Sequence, residues 1–422
     1  MAARRGYPMA MRPLAVVIPV HNLWPVTRAC LQSLRENTPG DFFQVVLADN
    51  GSTDATPAEA PDLGRALFGE RFTHLPLGEN LGFGPACNAG ARATEAEHVL
   101  FLNNDTTLTP GWVRPLLTTA RKDARAGAVS PLLLYPETEP EGGPSQRPEA
   151  GRVQHAGIGF DPDLHPVHPF HLFPADHPAV TRPRRLQAVS GAAMLVGLGV
   201  FRELGGFFEG FRNGSEDLDL CARLRGRGLR CLLEPKAVVH HHTSLTPGRY
   251  EHTEHNARLL NQRCRGAFAT DLHKLAEREG FTLALTPWQE PYMAMRGEDA
   301  ERLAAVGDPR RAVQENPLWR PGYAAWLEAA ADPAERHRAA ALQAGLLPAL
   351  EALERAAATA VEAGFGGEAQ RWRDLLARAR AKLAAPEILA GRARANRDHF
   401  AARGEEGLAA LYGEWLEAGA NG

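Results

Sequence analysis

Hydrophobic and polar positions change period several times along the chain. Residues 14–20 form a continuous apolar, β-branched run, the pattern of a strand buried on both faces. Residues 25–36 read as a helix, opened by Pro25, which suits a first helical turn. Residues 44–48 and 99–102 are two further buried strands. After Thr109 and Pro110 comes a helix whose Trp112, Leu116, Leu117 and Ala120 share one face. Short strands alternating with helices predict a mainly parallel, Rossmann-like α/β sheet. In such sheets ligands bind beyond the carboxyl ends of the strands, and the polar clusters of this chain fall there.

Residues 136–185 lose this periodicity and are rich in Pro, Gly and His, which predicts an extended insertion over the sheet. Order resumes at residues 186–196, in a helix at 216–227, and in a β-branched segment at 237–239 that meets His240, His241 and His242. From about residue 286 the chain turns rich in Ala, Leu, Glu and Arg. Leu346, Leu350, Leu353, Ala357 and Val361 fall on one helical face. After a Gly-rich break at 364–367, Trp372, Leu375, Leu376, Ala379 and Leu383 do the same, so an αα-hairpin is expected. The reading is an α/β domain over residues 1–285 and an all-α accessory domain over 286–422, the latter offering a surface for self-association.

Composition narrows the function classes. With 44% hydrophobic and 23% charged residues the chain is globular, and a net charge of −3 gives no basic field for nucleic acid. Cys30, Cys87, Cys221, Cys231 and Cys264 are scattered, without metal-ligand or disulfide spacing, which fits a reducing cytoplasm. The longest uncharged apolar run, residues 189–201, is too short to span a bilayer. Contact with the inner membrane face is expected only through a substrate.

Each candidate site is ordinary when taken alone. Asn103, Asn104 and Asp105 sit where a strand ends, and their oxygens suit a hard divalent cation, yet Asn-Asn-Asp is also a common turn. Asp49 opens an Asn-Gly turn. Glu79 to Gly84, followed by Asn88, has glycines that let backbone approach a ligand, or it is simply a loop entering a helix. Glu216 and Asp217 open a helix, where carboxylates complement the dipole, but a carboxylate there can also serve as a general base.

In order along the chain, these segments resemble the inverting family 2 glycosyltransferases of GT-A fold, in particular their rhamnosyltransferase-like branch. The motifs are Val17-Ile-Pro-Val-His-Asn22, Ala48-Asp-Asn-Gly-Ser-Thr-Asp54, Asn80-Leu-Gly-Phe-Gly84 with Asn88, and Leu102-Asn-Asn-Asp-Thr106. They continue with Ser190-Gly-Ala-Ala-Met-Leu195, Gly205-Gly-Phe-Phe-Glu209, Ser215-Glu-Asp-Leu-Asp-Leu-Cys221 and Val239-His-His-His242. The resemblance covers residues 13–265 and leaves the tail unmatched.

The resemblance implies a nucleoside-diphosphate sugar donor, UDP- or dTDP-linked, and a divalent metal, Mn2+ or Mg2+. It implies a glycan, lipid-linked glycan or protein as acceptor. Pro19, Val20, His21, Asn22 and Asp49 would form the nucleotide floor, and Asn80 and Asn88 would line the cleft. Asn103, Asn104 and Asp105 take the place of the family's metal-binding Asp-x-Asp, with Asn103 replacing its first carboxylate. Asp217 matches the base and Glu216 its neighbour toward the acceptor. One of the three histidines matches a further metal ligand, and His241 fits best counted from Pro235. Two rivals remain, a sugar-phosphate nucleotidyltransferase and a non-catalytic sugar-nucleotide scaffold. The first strand lacks the Gly-rich triphosphate loop of the former, and retention of Asp105 and Asp217 speaks against the latter.

Overall fold

A computed structural model describes residues 12–139, 143, 145–242, 251–297 and 300–420. The chain forms two compact units that interleave along the sequence: residues 1–144, 154–158 and 181–268 in one, and 145–153, 159–180 and 269–422 in the other.

The first unit is built on a ten-stranded mixed sheet. In chain order the strands are β1 Arg12–Val20, β2 Phe43–Asp49, β3 Phe72–Pro76, β4 Ala96–Leu102, β5 Thr106–Leu108, β6 Ala126–Leu134 and β7 Val153–His155. After the small pair β8 Gly159–Phe160 and β9 Pro166–Val167 come β10 Arg184–Leu186, β11 Ala193–Gly197 and β12 Arg230–His241. The order across the sheet is β10-β12-β6-β11-β4-β1-β2-β3, with β5 on β12 and β7 on β6. Strands β4, β1, β2 and β3 run parallel, as do β6 and β12. Strand β11, inserted between β4 and β6, runs antiparallel, as do the short β5 and β10 on β12.

The helices are α1 Trp24–Asn37, α2 Thr56–Phe68, α3 Phe83–Arg92, α4 Val113–Lys122, α5 Leu198–Glu203, α6 Glu216–Gly226 and α7 Thr253–Arg263. The apolar runs of β1 and β4 are buried on both faces, as expected for central parallel strands. Helix α3 lies so close on β1 that a Cβ at Gly90 would come within 2.3 Å of Val17 Cγ1. That approach fixes the height of the loop entering α3.

The second unit contains far more than a hairpin. A helix at Leu272–Arg278 leads into the β-hairpin β13 Phe281–Leu285 and β14 Pro291–Met295, and helices follow as far as Glu406–Ala420. Residues 269–285, read above as part of the α/β domain, pack in this unit, as does most of the Pro/His-rich insertion. The insertion is held by side chains of the tail: Arg371 pairs with Glu149 at 2.9 Å, Arg338 donates to the Ala150 carbonyl at 2.8 Å, and Arg392 pairs with Asp163. The expected αα-hairpin is present as Leu350–Glu362 and Gly366–Leu383, with Leu353, Ala357, Trp372, Leu376 and Ala379 buried. Val361 is a correction, since it is 55% exposed. Each step of four residues overshoots a full turn by about 40°, so the row from Leu353 through Ala357 drifts off the buried face by Val361. No described helix is long and apolar enough to cross a membrane.

Candidate active site

The loops after β1 and β2 lock together before any ligand is considered. Asn22 and Leu23 both adopt left-handed backbone, turning the chain sharply from β1 into α1. The Asn22 side-chain oxygen accepts from the Thr53 amide at 2.7 Å, and the Asn22 amide donates to Ser52 Oγ at 2.9 Å. Asp54 accepts from the amides of Trp24 and Thr56, both at 2.9 Å. Burial works against its charge, but these bonds outweigh that and hold its carboxyl below the usual range. His21 Nδ1 lies 3.0 Å from the Asn50 carbonyl, whose own amide donates to the Val20 carbonyl at the end of β1, beyond Pro19. Asp49 is buried, accepting from the Ser52 amide at 3.0 Å with its other oxygen 3.3 Å from His74 Nε2.

Asn50 ties this group to the next motif. Its side chain donates to Asn80 Oδ1 at 2.9 Å and accepts from the Leu81 amide at 2.8 Å. Gly51 is required here. Its φ is +74°, and a Cβ would lie 2.5 Å from the Glu79 carbonyl carbon. Asn88, on α3, braces a neighbouring turn with its side chain. Its amide donates to the Phe207 carbonyl at 2.8 Å and to Glu209 at 2.9 Å, and its oxygen accepts from the Phe207 amide at 2.8 Å. All three bonds serve the turn after α5.

A second constellation forms at the ends of β4 and β12. Pairing of β5 with β12 sets His241 opposite Thr106, and strand alternation puts His240 on the other face. His241 Nε2 lies 3.1 Å from Asp105 Oδ1 and 3.1 Å from Asn103 Nδ2. His242 Nε2 instead approaches Thr107 Oγ1 at 3.4 Å. His241 brings its side chain to the Asn-Asn-Asp turn, and the His242 amide donates to the Asp105 carbonyl at 2.9 Å. Asn104 points elsewhere, donating to Thr27 on α1 at 2.8 Å.

The first turn of α6 carries three acidic residues with three different surroundings. Asp219 is buried between Arg223 at 2.8 Å and Arg263 at 2.7 Å, a structural brace. Glu216 accepts from the Gly214 amide at 2.8 Å and is buried. Asp217 is half-buried, with Oδ2 accepting from Gly191 N at 2.9 Å and Oδ1 from Leu218 N at 2.8 Å. The entry to the helix is strained: Asn213 and Ser215 both have left-handed φ, so the helix begins abruptly. The loop before β11 links the two constellations, since Ala192 O accepts from Asn103 N at 2.8 Å while Gly191 N holds Asp217.

Several residues here escape a reading of local pattern. His74 sits on the outer strand, and Gly191 contributes only its backbone. Gln154 and His155 come from the aperiodic insertion. His155 Nε2 accepts from Ser190 N at 3.2 Å, and Gln154 binds His241 twice, through Nδ1 at 2.6 Å and the backbone oxygen at 2.8 Å. Their one signal is position, two polar residues ahead of Gly157, whose φ is +99°.

The profile of Glycosyl transferase family 2 matches residues 15–176. N-acetylglucosaminyl-diphospho-decaprenol L-rhamnosyltransferase of Mycobacterium tuberculosis is 33% identical over 220 residues, covering 49% of this chain and 68% of its own. A Sinorhizobium fredii protein is 26% identical over 272 residues, 61% of this chain, of which this chain spans only 28%. Among solved structures, GalNAc-T7 with UDP, GalNAc and Mn2+ aligns over 56% of this chain and 44% of its own, at 21% identity and a TM-score of 0.45.

Proposed function

The chain belongs to glycosyltransferase family 2, in its rhamnosyltransferase-like branch, and from that premise we propose that it transfers a sugar with inversion from a UDP- or dTDP-linked donor. The acceptor is a hydroxyl on a glycan, a lipid-linked glycan or a protein. The mycobacterial relative's name supports the lipid-linked arm. The free, buried cysteines accord with a reducing cytoplasm.

The observation that carries this reading is the meeting of Asp105, Asn103 and His241. The Asp105 carboxylate and the His241 imidazole form a donor pair suited to Mn2+ or Mg2+, with the Asn103 side-chain nitrogen beside the ring. A divalent cation held there supplies charge neutralisation for the leaving diphosphate without a proton donor. Asp217 acts as base. It takes the proton of the acceptor hydroxyl as that oxygen bonds to the anomeric carbon and the bond to the diphosphate breaks on the opposite face. Glu216 flanks it on the acceptor side. Pro19, Val20, His21, Asn22, Asp49 and Asn80 make the nucleotide floor, preorganised by the bonds between the two loops. The catalytic module is the α/β domain, with the helical region accessory to it.

Incubation with a panel of sugar nucleotides and Mn2+ or Mg2+ tests the reading. Metal-dependent donor hydrolysis or transfer is expected. Pyrophosphate formation would favour a nucleotidyltransferase, and binding without turnover a scaffold.

A further inference from the structure

We propose that Gln154 is a positioning residue that sets the tautomer and orientation of His241. Both polar ends of its side chain serve that one residue. Gln154 Nε2 donates to the His241 backbone oxygen at 2.8 Å, and Oε1 lies 2.6 Å from His241 Nδ1. The two residues are 7% and 3% exposed, so water does not compete for these bonds.

The chemistry leaves one assignment. A backbone carbonyl only accepts, so the amide nitrogen must face it and the amide oxygen must face the ring. An amide oxygen also only accepts, so Nδ1 carries the proton. In the neutral ring the lone pair then sits on Nε2, the atom 3.1 Å from Asp105 Oδ1. Nitrogen and oxygen donors about 2.1 Å from one cation, at right angles, lie about 3 Å apart, so the pair fits a shared ion. Without Gln154 the ring is free to turn over or to hold its proton on Nε2, presenting N–H where a lone pair is needed. Groups that hydrogen-bond the other ring nitrogen of a metal-bound histidine commonly act in this way. Gln154 reaches its place through β7, which pairs with β6, itself the parallel neighbour of β12.

This rests on the reading of His241 as a metal ligand, and the test separates the two. Mn2+ alone is titrated into the full-length chain, with the free ion followed by its electron paramagnetic resonance signal. Wild type should bind one ion, and His241→Ala should lose it. Gln154→Leu should bind about 10- to 100-fold more weakly, the usual cost of removing such a partner. Gln154→Glu, which still accepts from Nδ1 but sets a second oxygen against the His241 carbonyl, should recover the affinity only in part. Wild-type affinity in Gln154→Leu, alongside loss in His241→Ala, overturns the role of Gln154 alone. Undiminished binding in His241→Ala overturns the metal reading and this inference with it. Should Gln154→Leu not fold, the 15N shifts of His241 in the wild type decide. A protonated Nδ1 supports the assignment, and a protonated Nε2 refutes it.

Discussion

Replacing Asp217 by Asn tests the base through two effects that the structure makes separable. The carboxylate accepts from Gly191 N through one oxygen and from Leu218 N through the other. An amide has a single oxygen, so in Asp217→Asn one of these N–H groups faces an NH2 and loses its partner. The residue is half-buried, and an unmet donor of this kind costs about 1 kcal/mol, a drop of about 2–4 °C in melting temperature for a unit of this size. The catalytic effect is larger. Loss of a general base slows reaction about 100- to 10,000-fold, or about 3–5 kcal/mol of barrier. Donor affinity should barely change, because neither oxygen touches the loops around Asp49 and Asn80. The assay is transfer at saturating donor, with calorimetry for donor binding and a thermal melt as the control for folding. Glu216→Gln is the comparison, since the remaining amide oxygen can keep the bond from the Gly214 amide, and it should cost less. A folded Asp217→Asn protein that transfers at the wild-type rate refutes the assignment.

Asp105→Ala should weaken the response to added Mn2+ more than Asn103→Ala does, since Asp105 alone carries charge, and excess chelator should stop turnover in the wild type; activity that persists in chelator would exclude the metal. Burial, reinforced by the neighbouring His168, pushes His171 down to about 4. The unfolded chain therefore binds a proton first, and stability should fall as pH drops from about 6.5 toward 4 by up to about 3 kcal/mol, flattening in His171→Gln, as acid denaturation curves would show. Cutting the chain after Thr286 should lower the melting temperature of what remains, because Glu149, Ala150 and Asp163 lose the partners that Arg371, Arg338 and Arg392 provide. An unchanged melt would show that the insertion holds itself.

What was legible in the sequence was local. The buried runs of β1, β2 and β4 and the turns that follow them announce themselves, because a parallel strand is apolar throughout and its exit needs Asn, Asp and Gly. Asp49, Asn80 and Asp105 were found that way. Resemblance, rather than pattern, picked out Asp217 among the three acids of α6, whose separate fates depend on Gly191 and on two arginines distant in sequence. Which of the three histidines faces Thr106 depends on how β12 pairs with β5, since adjacent strand residues face opposite ways and a slip of one exchanges them. Residues 145–180 carried no period because they are held by side chains from the far tail rather than by a repeating pattern of their own.

That last feature bears on how the site is built. Gln154 and His155 belong to the α/β unit, yet the stretches on either side of residues 154–158 belong to the helical one. A free loop would leave these two side chains to pay the full conformational entropy of ordering whenever they engaged His241 and Ser190. Anchoring both flanks in a packed unit shortens the free chain to a few residues and removes most of that cost. The dipeptide then holds His241 with one residue and, through Ser190, the loop whose Gly191 amide meets Asp217 with the next.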